Sequence, residues 1–129
     1  MAVVDASAVV EILLNSALGQ RVRRRVVDAS EELHAPHLID IEVLHVLRRY
    51  NLSGEIPVDR LEAAIGIYQG LSIERHSHEI VFVRVWQLRR NLTAYDAAYV
   101  ALAELLGTLL YTTDKRLAKA APHVAELLQ

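Results

Sequence analysis

Asp5, Glu42, Asp96 and Asp114 are the side chains whose type and setting point to chemistry, because together they could hold a divalent cation. Asp5 directly follows the apolar run Val3-Val4, and Asp114 follows Leu109-Leu110-Tyr111-Thr112-Thr113 in the same way. In open parallel sheets, ligands bind just beyond the carboxyl ends of the strands, where the strand order reverses. Two neighbouring central strands that each end in Asp would bring both carboxylates to that point. Taken alone, each Asp also reads as an N-cap for the helix after it, with Ser7 a competing cap for the first. Glu42 is harder to explain by capping. It sits among Leu38, Ile39, Ile41, Val43, Leu44, Val46 and Leu47, so partial burial is expected, and a buried carboxylate is costly unless paired or bound to a metal. A salt bridge to Arg or a hydrogen bond to His45 is the structural alternative, while Asp40 is assigned to the helix N-terminus. Asp96 stands three residues after Thr93 at the start of an apolar helix, a spacing close to the capping box. A cap there leaves an outer oxygen for a cation.

Carboxylates sharing one pocket repel, and some would take up protons unless a cation neutralised them. Ligation by oxygen alone suits Mg²⁺ or Mn²⁺ and disfavours Zn²⁺. The six histidines are read as offering neither a His-x-His nor an HExxH metal signature and as surface or polar-network residues, so a histidine-ligated metal is set aside. The five scattered glycines form no phosphate-binding loop. Ser7 has no His or Lys base signature that would make it a nucleophile.

The elements that must position these acids follow from hydrophobic patterning. The chain has 129 residues, 53% of them hydrophobic, enough for one domain with a real core. It has no cysteine, which excludes disulfides and thiolate metal sites. No apolar run is long enough to span a bilayer, and the first strand starts at Ala2, so no leader and a cytoplasmic location are expected. The net charge is -2, but twelve of the 14 cations are Arg, clustered at 21–25, 48–49 and 89–90. Arg favours bidentate phosphate contacts and stacking on bases, although helix solubility and pairing with Glu account for such clusters equally well.

Short apolar runs alternate with helical periodicity throughout, which predicts an α/β fold with a mostly parallel sheet. Strands are expected at residues 2–4, 33–35 (stopped by Pro36), 72–75, 108–113 and, as an edge, 124–127. Helices are expected after Asp5, around Val22 and Val26, over 38–50, from Pro57 as first helical residue through Tyr68, over 77–90, over 95–106 with Gly107 as C-cap, and over 115–120. Residues 15–19 and 51–54 read as breaks. No repeat or linker interrupts the pattern.

With Val-Val-Asp5-Ala-Ser7, the helical Glu42, Leu92-Thr93-Ala-Tyr95-Asp96-Ala-Ala-Tyr99 and Thr112-Thr113-Asp114-Lys115-Arg116-Leu in this order, the chain resembles a PIN domain. Its length and motif wording are similar to the VapC toxins of type II toxin–antitoxin modules, and the likeness runs from Ala2 to about Ala121. The resemblance implies a single domain over residues 1–129, a three-layer α/β/α sandwich with a five-stranded, largely parallel sheet of order 3-2-1-4-5. It implies a Mg²⁺- or Mn²⁺-dependent endoribonuclease that cleaves tRNA or rRNA through metal-activated water. Asp5, Glu42, Asp96 and Asp114 would be catalytic metal ligands. Ser7 and Thr113 would support the acids, and Lys115 and Arg116 would meet substrate phosphate. It further implies a homodimer held inactive by a VapB-like antitoxin in a hetero-oligomer. The alternative is a catalytically silent module that acts only by docking the antitoxin. A receiver-type phosphoacceptor is disfavoured because Asp5 stands without a second acid beside the first strand.

Overall fold

In this computed structural model, which describes residues 1–29 and 32–129, five short strands make one sheet in the order β3-β2-β1-β4-β5. They are β1 (Ala2–Val4), β2 (Leu33–Pro36), β3 (Ile73–His76), β4 (Leu110–Thr112) and β5 (Ala125–Leu127). Every neighbouring pair is parallel. The central strands β1, β2 and β4 are buried along their whole length, as strands covered by helices on both faces must be, and this is why they read as continuous apolar runs. The chain turns back after β1 to build β2 and β3 on one side, then returns to place β4 and β5 on the other. Strand order therefore reverses between β1 and β4.

Among the described residues, seven α-helices complete the layers: α1 (Ala6–Leu14), α2 (Ala17–Val22), α3 (Ile39–Ser53), α4 (Val58–Gly70), α5 (Phe82–Gln87), α6 (Ala94–Leu106) and α7 (Lys115–Ala120). α1 packs on α2, α3 and α4, while α6 packs on β1, β2 and α5. Tyr99, Val100 and Leu102 of α6 are almost fully buried, matching the all-round apolar pattern. Side chains of this size contribute roughly 1.5–3 kcal/mol each when removed from water. No described helix is long and apolar enough to cross a membrane.

Several expected boundaries shift, for identifiable reasons. Pro36 does not stop β2; it is the last residue of the strand, in register with His76. α3 runs on through Ser53 and ends at Gly54, whose φ of 76° closes the helix, so only the end of the expected 51–54 turn survives. Pro57 is the residue before the first helical turn of α4 rather than its first member. The helix expected over 77–90 divides into a 3-10 turn at His78–Val81 and the short α5. Ile80, Phe82, Val83 and Trp86 face solvent there, so little buried surface supports a longer helix. The strand expected over 108–113 shortens to Leu110–Thr112. The helix around Val22 and Val26 passes from α2 into a π-helical turn at Arg23–Val27.

The break at 15–19 takes two residues and a cap. Asn15 adopts a left-handed conformation (φ 52°) at the end of α1, and Ser16 caps α2 by accepting from the Gly19 N–H at 2.8 Å. Gly19 lies against α1 so closely that a Cβ would fall 1.8 Å from the Glu11 carbonyl oxygen. Backbone cannot yield as a side chain tip can. Gly19→Ala is therefore expected to cost at least about 1–3 kcal/mol, the usual range for overpacking. Urea denaturation measures it, and an unchanged midpoint would reject this close approach.

Candidate active site

The register of β1 and β4 brings Asp5 and Asp114 to one place. Val3 pairs with Leu110 and Val4 with Tyr111, so Asp5, the next residue, stands level with Thr112, two residues before Asp114. Each Asp is also the N-cap of its helix. Asp5 Oδ1 accepts from the Ala8 N–H at 3.0 Å, and Asp114 Oδ1 accepts from the Arg116 and Leu117 N–H groups at 2.9 and 3.2 Å. Capping and a place at the strand ends are thus two properties of the same carboxylates.

Hydroxyls tie the pair together. Ser7 Oγ donates to Asp5 Oδ1 at 2.6 Å and accepts from the Thr113 N–H at 3.1 Å. Thr112 Oγ1 donates to Asp5 Oδ2 at 2.5 Å and accepts from the Asp114 N–H at 3.0 Å. Ser7 therefore stands where the sequence expected it, whereas Thr113 enters through its backbone N–H. The hydroxyl that holds the acid is that of Thr112, which has no exposed surface. The signal for it was present: strand alternation puts Thr112, two residues from Leu110, on the face of Val3.

The other two acids arrive on helices. Thr93 caps α6, accepting from the Asp96 N–H at 3.2 Å, so the cap is made by the threonine, and Asp96 is presented in the first turn. Glu42 projects from α3, and its Oε1 accepts from the Tyr99 hydroxyl at 2.7 Å. This bond takes the place of the expected Arg or His45 partner. Tyr99 lies one turn after Asp96, so α6 offers both groups along one edge. α3 is less enclosed than its composition suggests, because Ile39, Val43 and Leu47 are buried while Ile41 is 70% exposed. Glu42 is half-buried at the border of those faces. Asp40 does not merely serve the helix N-terminus. It pairs with Arg75, whose Nη2 lies 2.8 Å from Oδ1, and accepts from the Tyr68 hydroxyl at 2.6 Å.

The four acids border one open cleft of about 530 Å³ together with Ser7, His45, Arg49 and Tyr95. Its electrostatics are strained in a consistent direction. Burial raises the Asp5 carboxyl above its ordinary range, against the pull of its hydrogen bonds to Ser7 and Thr112. Burial also raises Glu42, with the charges of Asp96 and Asp5 adding to it. Asp96 is raised by burial and then by Asp114, with Arg116 opposing. A cation would relieve all three. Apart from His45, the donors on the cleft are carboxylate and hydroxyl oxygens, which fits a hard divalent ion. Among the described residues, however, no three of these acids bring oxygens within 4.8 Å of one another. A strongly hydrated ion such as Mg²⁺, which keeps several waters, suits that spread better than a dehydrated one.

Lys115 and Arg116 are exposed and do not border this cleft; Arg116 borders a smaller neighbouring hollow that also includes Asp96. The cation on the main cleft is Arg49, a member of the 48–49 arginine cluster that the sequence alone did not connect to the acids. Glu42, His45, Val46 and Arg49 fall at i, i+3, i+4 and i+7, one face of α3, so their common placement was legible once Glu42 was chosen.

Comparison with known proteins accords with this architecture. A family model described as PIN domain matches residues 2–122. Ribonuclease VapC1 of Mycobacterium tuberculosis is 44% identical over 119 residues, covering 92% of this chain and 89% of that protein. Ribonuclease VapC9 of the same organism is 41% identical over 117 residues, 91% of this chain and 88% of that protein. The crystal structure of Mycobacterium tuberculosis VapC20, described as a Sarcin-Ricin loop cleaving toxin, superposes with a TM-score of 0.62 at 17% identity. That alignment covers 93% of this chain and 95% of the other, and it speaks to the fold alone.

Proposed function

Since the chain belongs to the PIN domain family, we propose that it is an endoribonuclease toxin of the VapC type that hydrolyses RNA phosphodiester bonds at the acidic cleft. The observation that carries this reading is the convergence of Asp5, Glu42, Asp96 and Asp114 on one open cleft with Arg49 beside them. The relatives it matches at about 40% identity are named ribonucleases, and the strand-order reversal is where this class of sheet binds ligands.

Asp5, Asp96, Asp114 and Glu42 would hold a divalent ion, Mg²⁺ or Mn²⁺. When bound, that ion supplies the acidity that activates a water and the charge that offsets the phosphate oxygens. The protein's own groups do the rest. Ser7 and Thr112 fix both oxygens of Asp5, so its carboxylate cannot rotate away from the cleft. Tyr99 holds Glu42 through Oε1, and burial raises the tyrosine's pKa, keeping its proton on the hydroxyl. Arg49 offers the planar donor fork that pairs with a phosphodiester. Tyr95, 65% exposed on the cleft, presents a ring on which an unpaired base can stack. Arg116, beside Asp96, is the second phosphate contact, with Lys115 next to it.

The substrate class is structured RNA, tRNA or rRNA, which places the activity in the cytoplasm. The chain works as a homodimer and is silenced in a hetero-oligomer with a VapB-like antitoxin. The exposed apolar side chains Ile41, Leu44, Phe82 and Trp86 are the surface available for such contacts. The test is cleavage of total RNA with and without chelator. Activity should vanish with chelator and return with Mg²⁺ or Mn²⁺; cleavage that persists in chelator overturns the scheme, and no cleavage under any metal favours the silent docking module. Arg49→Ala is expected to raise KM several-fold with kcat little changed, and to reduce the slope of log affinity against log salt by about 0.7, the loss of a single phosphate contact on single-stranded RNA.

A further inference from the structure

Four of the six histidines gather around the β2–β3 side of the sheet, away from the acidic cleft. His34 lies on β2, in register with Glu74 of β3. Side chains at i and i+2 of a strand share a face, so His76 joins Glu74, and Glu32 joins His34. The result is a compact constellation. His34 Nδ1 lies 2.8 Å from His76 Nε2 and 3.6 Å from Glu74 Oε2. Among the described residues, His34, Glu74 and His76 are the group of three whose ligand atoms all fall within 4.8 Å of one another. Metal ligation by histidine was set aside on sequence grounds, yet His76-Ser77-His78 is itself a His-x-His pair. Only its first member joins; His78 Nε2 accepts from the Leu38 N–H at 3.0 Å.

A second observation points the same way. His34 is 4% exposed, and its Nε2 is buried with no hydrogen bond. The Glu32 carboxylate stands 3.2 Å from that nitrogen but outside hydrogen-bonding geometry. A histidine that ligates through Nδ1 must carry its proton on Nε2, and metal-bound histidines almost always give that proton to a carboxylate or carbonyl. Glu32 is the acceptor such a ligand requires. We propose that His34 Nδ1, His76 Nε2 and the Glu74 carboxylate form a site for a zinc-class divalent ion, with Glu32 as the positioning residue for the His34 ring.

Two nitrogens and one carboxylate oxygen, with a position left for water, match the borderline preference of Zn²⁺ and not that of Mg²⁺. Nitrogens bound at about 2.0–2.1 Å in a tetrahedron lie roughly 3.3 Å apart, so the two rings must part by about half an ångström on binding. His76 is only partly buried and can move that far. Bound there, the ion ties the edge strand β3 to β2 through residues that do not border the acidic cleft.

Equilibrium dialysis of the metal-free full chain against Zn²⁺, in millimolar Mg²⁺, tests the site independently of any ribonuclease activity. The expected result is a single high-affinity zinc that persists in an Asp96→Asn, Asp114→Asn double variant. His76→Gln and Glu74→Gln should each weaken it at least about tenfold, and Glu32→Gln by about 10–100-fold, the usual cost of losing an orienting partner. Glu74 and Glu32 are exposed, so their variants fold even if His76→Gln does not. Zinc should also raise the melting temperature of the parent and shift the ring nitrogens of His34 in NMR spectra. Absence of zinc binding, binding lost with the acidic cleft, or binding indifferent to both Glu74→Gln and Glu32→Gln overturns the proposal.

Discussion

Asp96→Asn is expected to slow RNA cleavage by about 10²–10³-fold at saturating Mg²⁺, roughly 3–4 kcal/mol of transition-state stabilisation. The substitution is nearly isosteric and isolates charge from architecture. The cap of α6 is made by Thr93 to the backbone N–H of residue 96, so it survives the change, and no packing is lost. What disappears is one negative charge, in a half-buried position where burial and Asp114 already disfavour it. The variant should therefore fold at least as well as the parent without metal. Initial rates across a metal titration read the outcome. Restoration at high metal would assign Asp96 to ion affinity alone, and full activity at matched metal would sink its place in the mechanism.

Asp5→Asn carries the second large effect, and it acts in opposite directions on stability and activity. Asp5 is 5% exposed, and burial raises its folded pKa above the ordinary aspartate value that it has in the unfolded chain. Between those two pKa values the folded chain binds more protons than the unfolded one. Stability is then fully present below the unfolded pKa and is lost as pH rises through the folded one. Ionising this carboxylate inside the fold costs the parent stability, and a divalent ion removes that cost. Asn carries no such cost, and its carbonyl can still accept from Ser7 and the Ala8 N–H. The metal-free variant should melt above the parent at neutral pH, with each kcal/mol worth roughly 3–5 °C for a domain of this size. The difference should shrink towards acid pH, where both side chains are neutral. Mg²⁺ should raise the melting temperature of the parent, since it binds only the folded acids, and leave the variant nearly unmoved, with cleavage abolished. A variant that melts below the parent at neutral pH would mean that the hydrogen bonds to the charged carboxylate outweigh its burial.

Both expectations depend on assignments that were readable in different degrees. Asp5 and Asp114 stood out because each closely follows an apolar run that reads as a buried strand, a pattern visible in a few neighbouring residues. Glu42 stood out for a partly mistaken reason. α3 is apolar by composition, but one of its apolar faces is on the surface, and the residue is half-buried because Tyr99 of α6 meets it there. Arg49 was visible only as part of an arginine cluster and was not connected to the acids, although helical spacing connects it to Glu42. Thr112 was overlooked in favour of Thr113, since adjacent residues of the same type differ only in the face they take.

The sequence by itself determined the alternation of strands and helices, the buried central strands and the positions of acids near strand ends, because each follows from periodicity or from the nearest few residues. The tertiary structure alone decided which side chains meet across the fold. Tyr99 reaches Glu42 from 57 residues away, Thr112 reaches Asp5 from 107, and the His34–His76 pair is made by the β2–β3 register over 42. Contacts at such separations are set by strand register and helix packing, which no local window encodes. Asp5, Glu42, Asp96 and Asp114, legible one by one in the sequence, border a common cleft in the fold. The cleft that joins them, the hydroxyls that orient Asp5 and the histidine cluster beyond them exist only once the sheet has formed.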